Sequence, residues 1–477
     1  DYHARLFKEW GLEPLLDGSY RQPFSLLGSK PDPAARLKIY SASGDTILNN
    51  TEHYVVGSFR KQCPATISGQ LIYAGHLIQA PERGWDDLKG ADLKGKILLV
   101  EVNEPGNVPG GIFDGEVMTY YGRWTYKFEQ ASRLGALGIL LIHNKKKATY
   151  GWDVVRNSWS AEGFITPDRV PGNCFQGWLT EDKAREVIKR TGMDPAALRA
   201  SAENKTFKPV PLNATVNVTQ SPTFRSVKVA NVGGIIRGST PERYVTITAH
   251  HDHLGRDPSL TGDQIYNGAL DNGSASAVML SLARYFASRG QRPPINLIFL
   301  APTAEEEGLL GSTYFVDHSP VPLEKIVANL NLELTNVWGE TEDVMAIGGR
   351  LSTLEDLLKT AAAEASLKYV PELPDLDGYF YRSDQISFAR AGIPAVWLAE
   401  GPTARGKDPT RISKARQAFK RTDYHRVTDE VKPDWDLAGA VQIARWIREA
   451  VVMFDAGAPS PSFHKTSGFA RKTEAAP

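Results

Sequence analysis

From about Asn213 onward, apolar runs of strand length alternate with stretches of helical pattern, and this alternation restricts the fold more than any other feature of the chain. The strand-like runs are Tyr244 to Ala249, Ile295 to Ala301, Ile326 to Leu334, Val344 to Gly348 and Ile393 to Leu398. Helical patterns separate and follow them at Gly273 to Ala287, Leu309 to Asp317, Ser352 to Leu367, Asp384 to Ala391 and Asp436 to Phe454. Strands alternating with helices predict an α/β fold with a mostly parallel central sheet flanked by helices. A sheet of that kind binds ligands in the crevice beyond the carboxyl ends of its strands.

The preceding region reads differently. Between Thr66 and about Leu212 the short buried-type strands Leu71 to Gly75 and Lys96 to Val100 accompany one strong helix, Tyr126 to Leu134, which runs into the apolar strand Gly138 to His143. The Pro/Lys-rich stretch Phe207 to Pro211 reads as a junction. The expected organisation is therefore residues 1–65 as the first part of the main domain, 66–212 as a β-rich insertion, and 213–455 as the rest of the main domain. Residues 456–477, rich in Pro, Ser, Ala and Lys, have the composition of a disordered tail. Asp1 to Trp10 already reads as an amphipathic helix with no Met before it, so upstream sequence, and any targeting segment within it, is expected to be missing.

Composition removes several classes of function. The 477 residues carry 55 Lys+Arg against 55 Asp+Glu with no long basic block, which argues against a nucleic-acid partner or a polybasic membrane surface. Their longest apolar runs fall well short of the roughly 20 residues that span a bilayer. Two cysteines, Cys63 and Cys174, exclude a disulfide-built scaffold and an all-thiolate zinc site; whether they pair is open. Nothing in the sequence fixes an oligomeric state.

Polar residues gather where the topology puts the crevice. His250-His251-Asp252-His253 ends one strand, Glu305-Glu306-Glu307 follows another, Glu333 ends a third, and Asp271-Asn272 precedes a helix. Asp423-Tyr424-His425 lies in a downstream loop. A charged triplet is usually a solvated loop and Asp-Asn before a helix is usually a cap, but four such clusters at one end of one sheet favour a shared site. Imidazole and carboxylate without thiolate suit zinc or another first-row divalent ion. Two histidines with three or four carboxylates exceed one tetrahedral zinc and suit two ions about 3.5–4 Å apart that share a carboxylate, with a spare glutamate as general base. No G-x-S-x-G elbow, P-loop, dinucleotide fingerprint or H-E-x-x-H helix competes with this reading.

Six motifs in order, Ala249-His-His-Asp-His-Leu-Gly255, Asn267-Gly-Ala-Leu-Asp-Asn272, Thr303-Ala-Glu-Glu-Glu-Gly-Leu-Leu-Gly-Ser312, Asn329-Leu-Asn-Leu-Glu333, Ser383-Asp-Gln-Ile-Ser-Phe-Ala-Arg-Ala-Gly-Ile-Pro394 and Tyr424-His425, resemble the co-catalytic di-zinc exopeptidases that include secreted aminopeptidases and glutamate carboxypeptidases. The segments Asp92 to Val100 and Ala131 to Ile139 resemble the protease-associated (PA) domain often inserted in that fold. The resemblance implies two zinc ions per chain. His250 and Glu333 would hold the first, Glu306 and His425 the second, and Asp271 would bridge them. Glu305 would be the general base, Asp252 would orient the His250 imidazole, and Tyr424 would donate to the developing oxyanion. His250 rather than His251 or His253 follows the A-H-x-D pattern, and Glu305/Glu306 rather than Glu306/Glu307 follows the spacing to Gly308. Departures from the family pattern are Glu333 in place of Asp, Leu270 in place of a small or polar residue, Val427 in place of Pro and Gln385 in place of His.

The implied activity is zinc-dependent release of amino-terminal residues from peptides by an exported, periplasmic or extracellular enzyme. A carboxypeptidase would share the metal ligands, a glutaminyl cyclase-like transferase would use one zinc, and a receptor-like member would be expected to have degraded ligands. The segment Asp375 to Ser383 is a candidate wall for the pocket of the first side chain, or equally core packing.

Overall fold

The structure is a computed structural model that describes residues 1–106, 111–113, 115, 117–375, 377–454 and 458–469. The chain divides into two units: residues 1–24, 228–373 and 379–477 form the first, and residues 25–227 with 374–378 the second.

The first unit is built on seven strands in the order Thr223–Ile236, Ile295–Ala301, Thr240–Thr248, Ile326–Leu332, Ala395–Glu400, Asp343–Ile347 and Lys368–Tyr369. Its four inner strands from Ile295–Ala301 to Ala395–Glu400 run parallel, in register Thr248↔Leu300, Thr248↔Asn331 and Asn331↔Trp397. Antiparallel partners flank them on each side, with Val232↔Ala301 and Ile347↔Trp397. This is the expected mostly parallel sheet, and the five predicted helices begin and end within a few residues of their expected limits, while the helix Arg411–Thr422 was not foreseen.

Because successive side chains of a strand point to opposite faces, each inner strand lines both. Leu297, Phe299, Ile247, Leu330, Leu332, Val396 and Leu398 face a core shared with Val278, Met279 and Leu282 of helix Ala275–Ser288 and Ile443, Trp446 and Ile447 of helix Ala438–Met453. The opposite face of the two middle strands, Thr240–Thr248 and Ile326–Leu332, is polar yet buried, while Ile298, Leu300 and Trp397 keep that of the outer two apolar. Thr248 Oγ1 donates to Asn331 Oδ1 at 2.6 Å, and Asn329 Nδ2 donates to Thr246 Oγ1 at 2.9 Å and Thr248 Oγ1 at 3.1 Å. Helix Gln385–Arg390 closes over this ladder and reaches helix Leu310–Asp317 through Phe388 and Phe315, whose rings lie 5.8 Å apart. The ladder aims toward the carboxyl ends of the strands.

The second unit has an eight-stranded sheet in the order Gly44–Thr46, Arg36–Ser41, Val210–Thr219, Thr66–Tyr73, Ile97–Glu101, Gly138–His143, Phe175–Thr180 and Tyr54–Gly57. Alternation again divides the apolar residues: Leu98, Val100, Ile139 and Leu141 pack with Phe128 and Trp178, while Leu99, Leu140 and Ile142 pack with Ile67, Leu71 and Phe175 on the other face. A disulfide joins Cys63 to Cys174, settling the pairing that the sequence left open.

Three expectations are corrected. The boundaries of the second unit are 25 and 227 rather than 66 and 212, because strand Arg36–Ser41 pairs with Ala214 to Thr219, and Tyr54–Gly57 pairs with Gln176 to Leu179. The stretch Phe207 to Pro211 is not a junction: it leads into the strand Val210–Thr219. Part of the expected disordered tail is ordered. The Thr353 amide donates to Ser462 O at 2.9 Å, the His464 amide donates to Leu351 O at 2.9 Å, and Phe469 is buried against Phe380. Residues 455–457 and 470–477 lie outside the described residues.

Candidate metal centre

The strand ends bring the expected residues together in the first unit. His250 follows the strand Thr240–Thr248, Glu305 and Glu306 follow Ile295–Ala301, and Glu333 follows Ile326–Leu332. His250 Nε2 lies 3.1 Å from Glu333 Oε1, 3.4 Å from Asp271 Oδ1 and 3.8 Å from Glu305 Oε2. On the other side of Asp271, His425 Nε2 lies 3.3 Å from Asp271 Oδ2 and 3.1 Å from Glu306 Oε2. Asp271 thus faces an imidazole with each oxygen. His425 Nε2 is buried without an aligned hydrogen bond despite these short contacts. A buried imidazole nitrogen that crowds two carboxylates without an aligned hydrogen bond is arranged for a cation between them.

Two further groups sharpen the register. His253, an alternative to His250 in the sequence, belongs to the second pole: its Nδ1 lies 2.6 Å from Glu306 Oε1, and His253, Asp271 and Glu306 offer donors within 4.8 Å of one another. His250, Asp271 and Glu333 form the other group within the same limit. His251 turns away, with Nδ1 2.9 Å from Pro302 O, and Glu307 is exposed.

The electrostatics are those of a site short of positive charge. Burial disfavours charge on His250, but Glu333, Glu305 and Asp271 around it hold its imidazole well above the ordinary value. Burial opposes charge on His425 too, yet Asp271 and Glu306 bring it up to about 9. Asp271 is held far below the usual carboxylate range, because the two imidazoles outweigh its burial. Glu305 is the contrasting case: burial, with Glu333 and Asp384 nearby, pushes its carboxyl well up against the pull of His250. A nitrogen/oxygen donor set in this state fits two divalent cations, and it leaves Glu305 beside them as a proton acceptor.

The supports of these groups were mostly invisible in the sequence. Asp252 accepts the amide N–H of Glu305 at 3.1 Å and of Glu306 at 3.3 Å, while its backbone carbonyl, rather than the expected carboxylate, is the nearer neighbour of His250 Nδ1 at 3.1 Å. Asp429 accepts the amides of Leu270 at 2.9 Å and Asp271 at 3.0 Å. Asn272 donates to Leu332 O and accepts from the Leu334 amide, each at 3.0 Å, tying the Asp271 loop to the Glu333 loop. Ser383 Oγ donates to Glu333 Oε2 at 2.6 Å and accepts from Asn331 Nδ2 at 2.8 Å, so the polar ladder of the sheet ends on Glu333. Gln385, where the family pattern has His, joins the same ladder by accepting from Asn331 Nδ2 at 2.8 Å. Leu270 packs with Leu334, Val337 and Phe419, an apolar cluster that accounts for its replacing a polar residue. The alternation Asn329-Leu-Asn-Leu-Glu333 was the one available signal that these asparagines share a face with the glutamate.

Tyr424 stacks on His425 with ring centroids 3.9 Å apart, and its hydroxyl makes no hydrogen bond among the described residues. Within the candidate pocket segment, Phe380 and Tyr381 are buried against Phe469, Tyr379 is half-buried, and Leu376 lies outside the described residues.

A mostly parallel α/β sheet thus assembles at its strand ends two imidazole–carboxylate poles around one shared aspartate, the donor set of a two-ion centre. Residues 231–449 match the model described as peptidase family M28. Over 158 residues it is 31% identical to aminopeptidase YwaD of Bacillus subtilis (strain 168), covering 33% of this chain and 27% of that protein. Over 207 residues it is 27% identical to a probable leucine aminopeptidase of Trichophyton verrucosum, covering 42% of this chain and 55% of that one. The chain therefore spans less than two thirds of the curated relatives it matches. In fold it resembles the aminopeptidase from Aneurinibacillus sp. strain AM-1, at a TM-score of 0.50 and 19% identity over 97% of this chain and 88% of that one.

Proposed function

We propose that the chain is a zinc-dependent exopeptidase that releases amino-terminal residues from peptides. The observation that carries this reading is the pair of poles joined through Asp271, with Glu305 buried beside them but outside both groups of three donors. His250 and Glu333 would hold one zinc ion, Glu306 and His425 the other, and Asp271 both. Bound zinc supplies Lewis acidity, which lowers the pKa of water towards about 7 and polarises a carbonyl oxygen. Glu305, raised by its burial, is poised to accept the proton of the attacking water and return it to the leaving amine. Asp252 holds the backbone that aims Glu305 and Glu306. The Tyr424 hydroxyl, without a hydrogen bond among the described residues, is the donor for the developing oxyanion. The names of the matched relatives support the amino-terminal direction.

The second unit is proposed to be a protease-associated domain, which its parallel β core and the flanking helices Trp124–Arg133 and Glu181–Arg190 support. Export is supported by the Cys63–Cys174 disulfide, since such bonds persist in oxidising compartments. Among the described residues no helix is long and apolar enough to cross a membrane.

The test is Glu305→Gln, assayed on aminoacyl-anilides beside N-blocked peptides with free carboxyl ends, with metal content measured in parallel. The variant is expected to keep its zinc and lose roughly 100- to 10,000-fold in turnover. Undiminished turnover would remove Glu305 from the mechanism, and cleavage confined to the N-blocked peptides would reverse the direction of attack.

A further inference from the structure

Tyr379 stands apart from the aromatic residues beside it, because two cations share its ring. The Lys420 ammonium, near the end of helix Arg411–Thr422, donates to the Tyr379 hydroxyl at 3.0 Å and lies 4.6 Å from the ring centroid. The guanidinium carbon of Arg382 lies 5.6 Å from the same centroid. Both side chains belong to exposed residues, and among the described residues neither forms an ion pair with a carboxylate. Their neighbours on the same helix do: Lys414 pairs with Asp408 at 3.1 Å, and Arg416 makes a two-pronged contact with Glu400.

Residues next to this cation pair, along the chain and through its rings, support the metal centre. Arg382 immediately precedes Ser383, whose hydroxyl holds Glu333 Oε2. The Tyr379 ring lies 6.4 Å from that of Trp397, whose indole N–H holds the Glu333 carbonyl at 3.0 Å. On the other flank, Lys420 adjoins Phe419, whose ring lies 6.1 Å from that of Tyr424. Two like charges held at one ring raise each other's energy, and an anion placed between them relieves it. A free α-amine has the opposite preference: the cation pair repels it and the carboxylates of the centre attract it. A substrate with an amine at one point and a carboxylate one side chain away is therefore oriented by both fields.

We infer that Arg382 and Lys420, which share the Tyr379 ring, form the subsite for the first side chain and select an acidic one, so that peptides beginning with Glu or Asp are the preferred substrates. The inference rests on the aminopeptidase reading above. The other source of the same chemistry is the terminal carboxylate of a peptide approached from its far end.

The experiment compares Glu-, Leu- and Lys-anilides, and N-blocked peptides with free carboxyl ends, on the zinc-loaded full chain and on Arg382→Met, Lys420→Met and Arg382→Glu. The Glu-over-Leu ratio of kcat/KM is expected to exceed one and to fall roughly 10- to 100-fold in either Met variant, the value of a lost hydrogen bond to a charged group. Arg382→Glu should shift the preference toward Lys. A ratio unmoved by all three variants, with Leu-anilide still cleaved, overturns the subsite and leaves the aminopeptidase reading standing. Arg382-dependent cleavage of the N-blocked peptides alone overturns both and gives the cations to a terminal carboxylate. No cleavage of either class overturns both outright.

Discussion

Reducing the Cys63–Cys174 bond should destabilise the second unit selectively and by a calculable amount. The two cysteines are 111 positions apart, so the bond closes a loop of more than half of that unit. With a loop of about 112 residues, the chain-entropy relation gives roughly 4.8 kcal/mol at 25 °C, and native disulfides typically contribute about 2–5 kcal/mol. In a unit of about 200 residues, 1 kcal/mol moves the midpoint by about 2–4 °C, so reduction should lower it by some 10 °C or more. Reduction by a phosphine is preferable to substitution, because Cys174 is buried and its replacement adds a packing defect of its own. The assay is calorimetry of the full chain, oxidised and reduced, with hydrogen exchange to assign the transition. Protection should fall at Phe175–Thr180 and Ile97–Glu101, whereas the strands Ile295–Ala301 and Ile326–Leu332 should hold theirs. A shift below about 2 °C would mean that the reduced chain stays as restricted as the bridged one, and would refute the entropic reasoning.

Three further outcomes are expected. Asp252→Asn keeps the size of the side chain but turns an amide donor toward one of the Glu305 and Glu306 N–H groups; kcat should fall about 10- to 100-fold for the loss of one charge-assisted bond, with KM little changed. Ser383→Ala removes the hydroxyl that fixes Glu333 Oε2 and should weaken zinc binding about 10- to 100-fold in a chelator competition, with the far-ultraviolet spectrum retained. Burial works against charge on Glu203, but His76, the Gly106 amide and Lys147 outweigh it and bring the carboxyl down to about 2 from 4.5. The unfolded chain then binds the extra proton between those values, so stability from this group is full above pH 4.5 and drains away as pH falls toward 2. Glu203 is partly exposed, so screening trims the effect. Glu203→Gln should flatten the acid limb of the stability profile, and an unchanged limb would assign it to other carboxylates.

The central sheet was legible because its inner strands are continuous apolar runs, a pattern that survives without knowledge of their neighbours. The ligand candidates were legible for the opposite reason: His250, Glu305, Glu306 and Glu333 are charges set at the ends of such runs, where local structure gives them no employment. What the sequence hid depends on distance along the chain. Asp429 meets Asp271 across 158 positions, and Ser383 meets Glu333 across 50, with no local periodicity to announce either contact. The boundary at 66 failed for the same reason. Arg36–Ser41 alternates charged and apolar residues like any edge strand, and only its pairing with Ala214 to Thr219 assigns it to the second unit. The tail misled through composition, since Phe463 and Phe469 find aromatic and backbone partners that a Pro- and Ser-rich stretch does not advertise.

The position of Asp271 has a thermodynamic corollary. Its carboxylate touches both imidazoles, its amide hangs from Asp429 close behind His425, and the next residue, Asn272, laces the loop around Glu333. No displacement of this loop can serve one pole and spare the other. A cation in either half would hold the loop for the opposite half, an ordering gain set against the repulsion between two dications a few ångström apart. Metal content followed through stepwise chelation should read that balance: one concerted loss where ordering of the loop dominates, two separate losses where repulsion does.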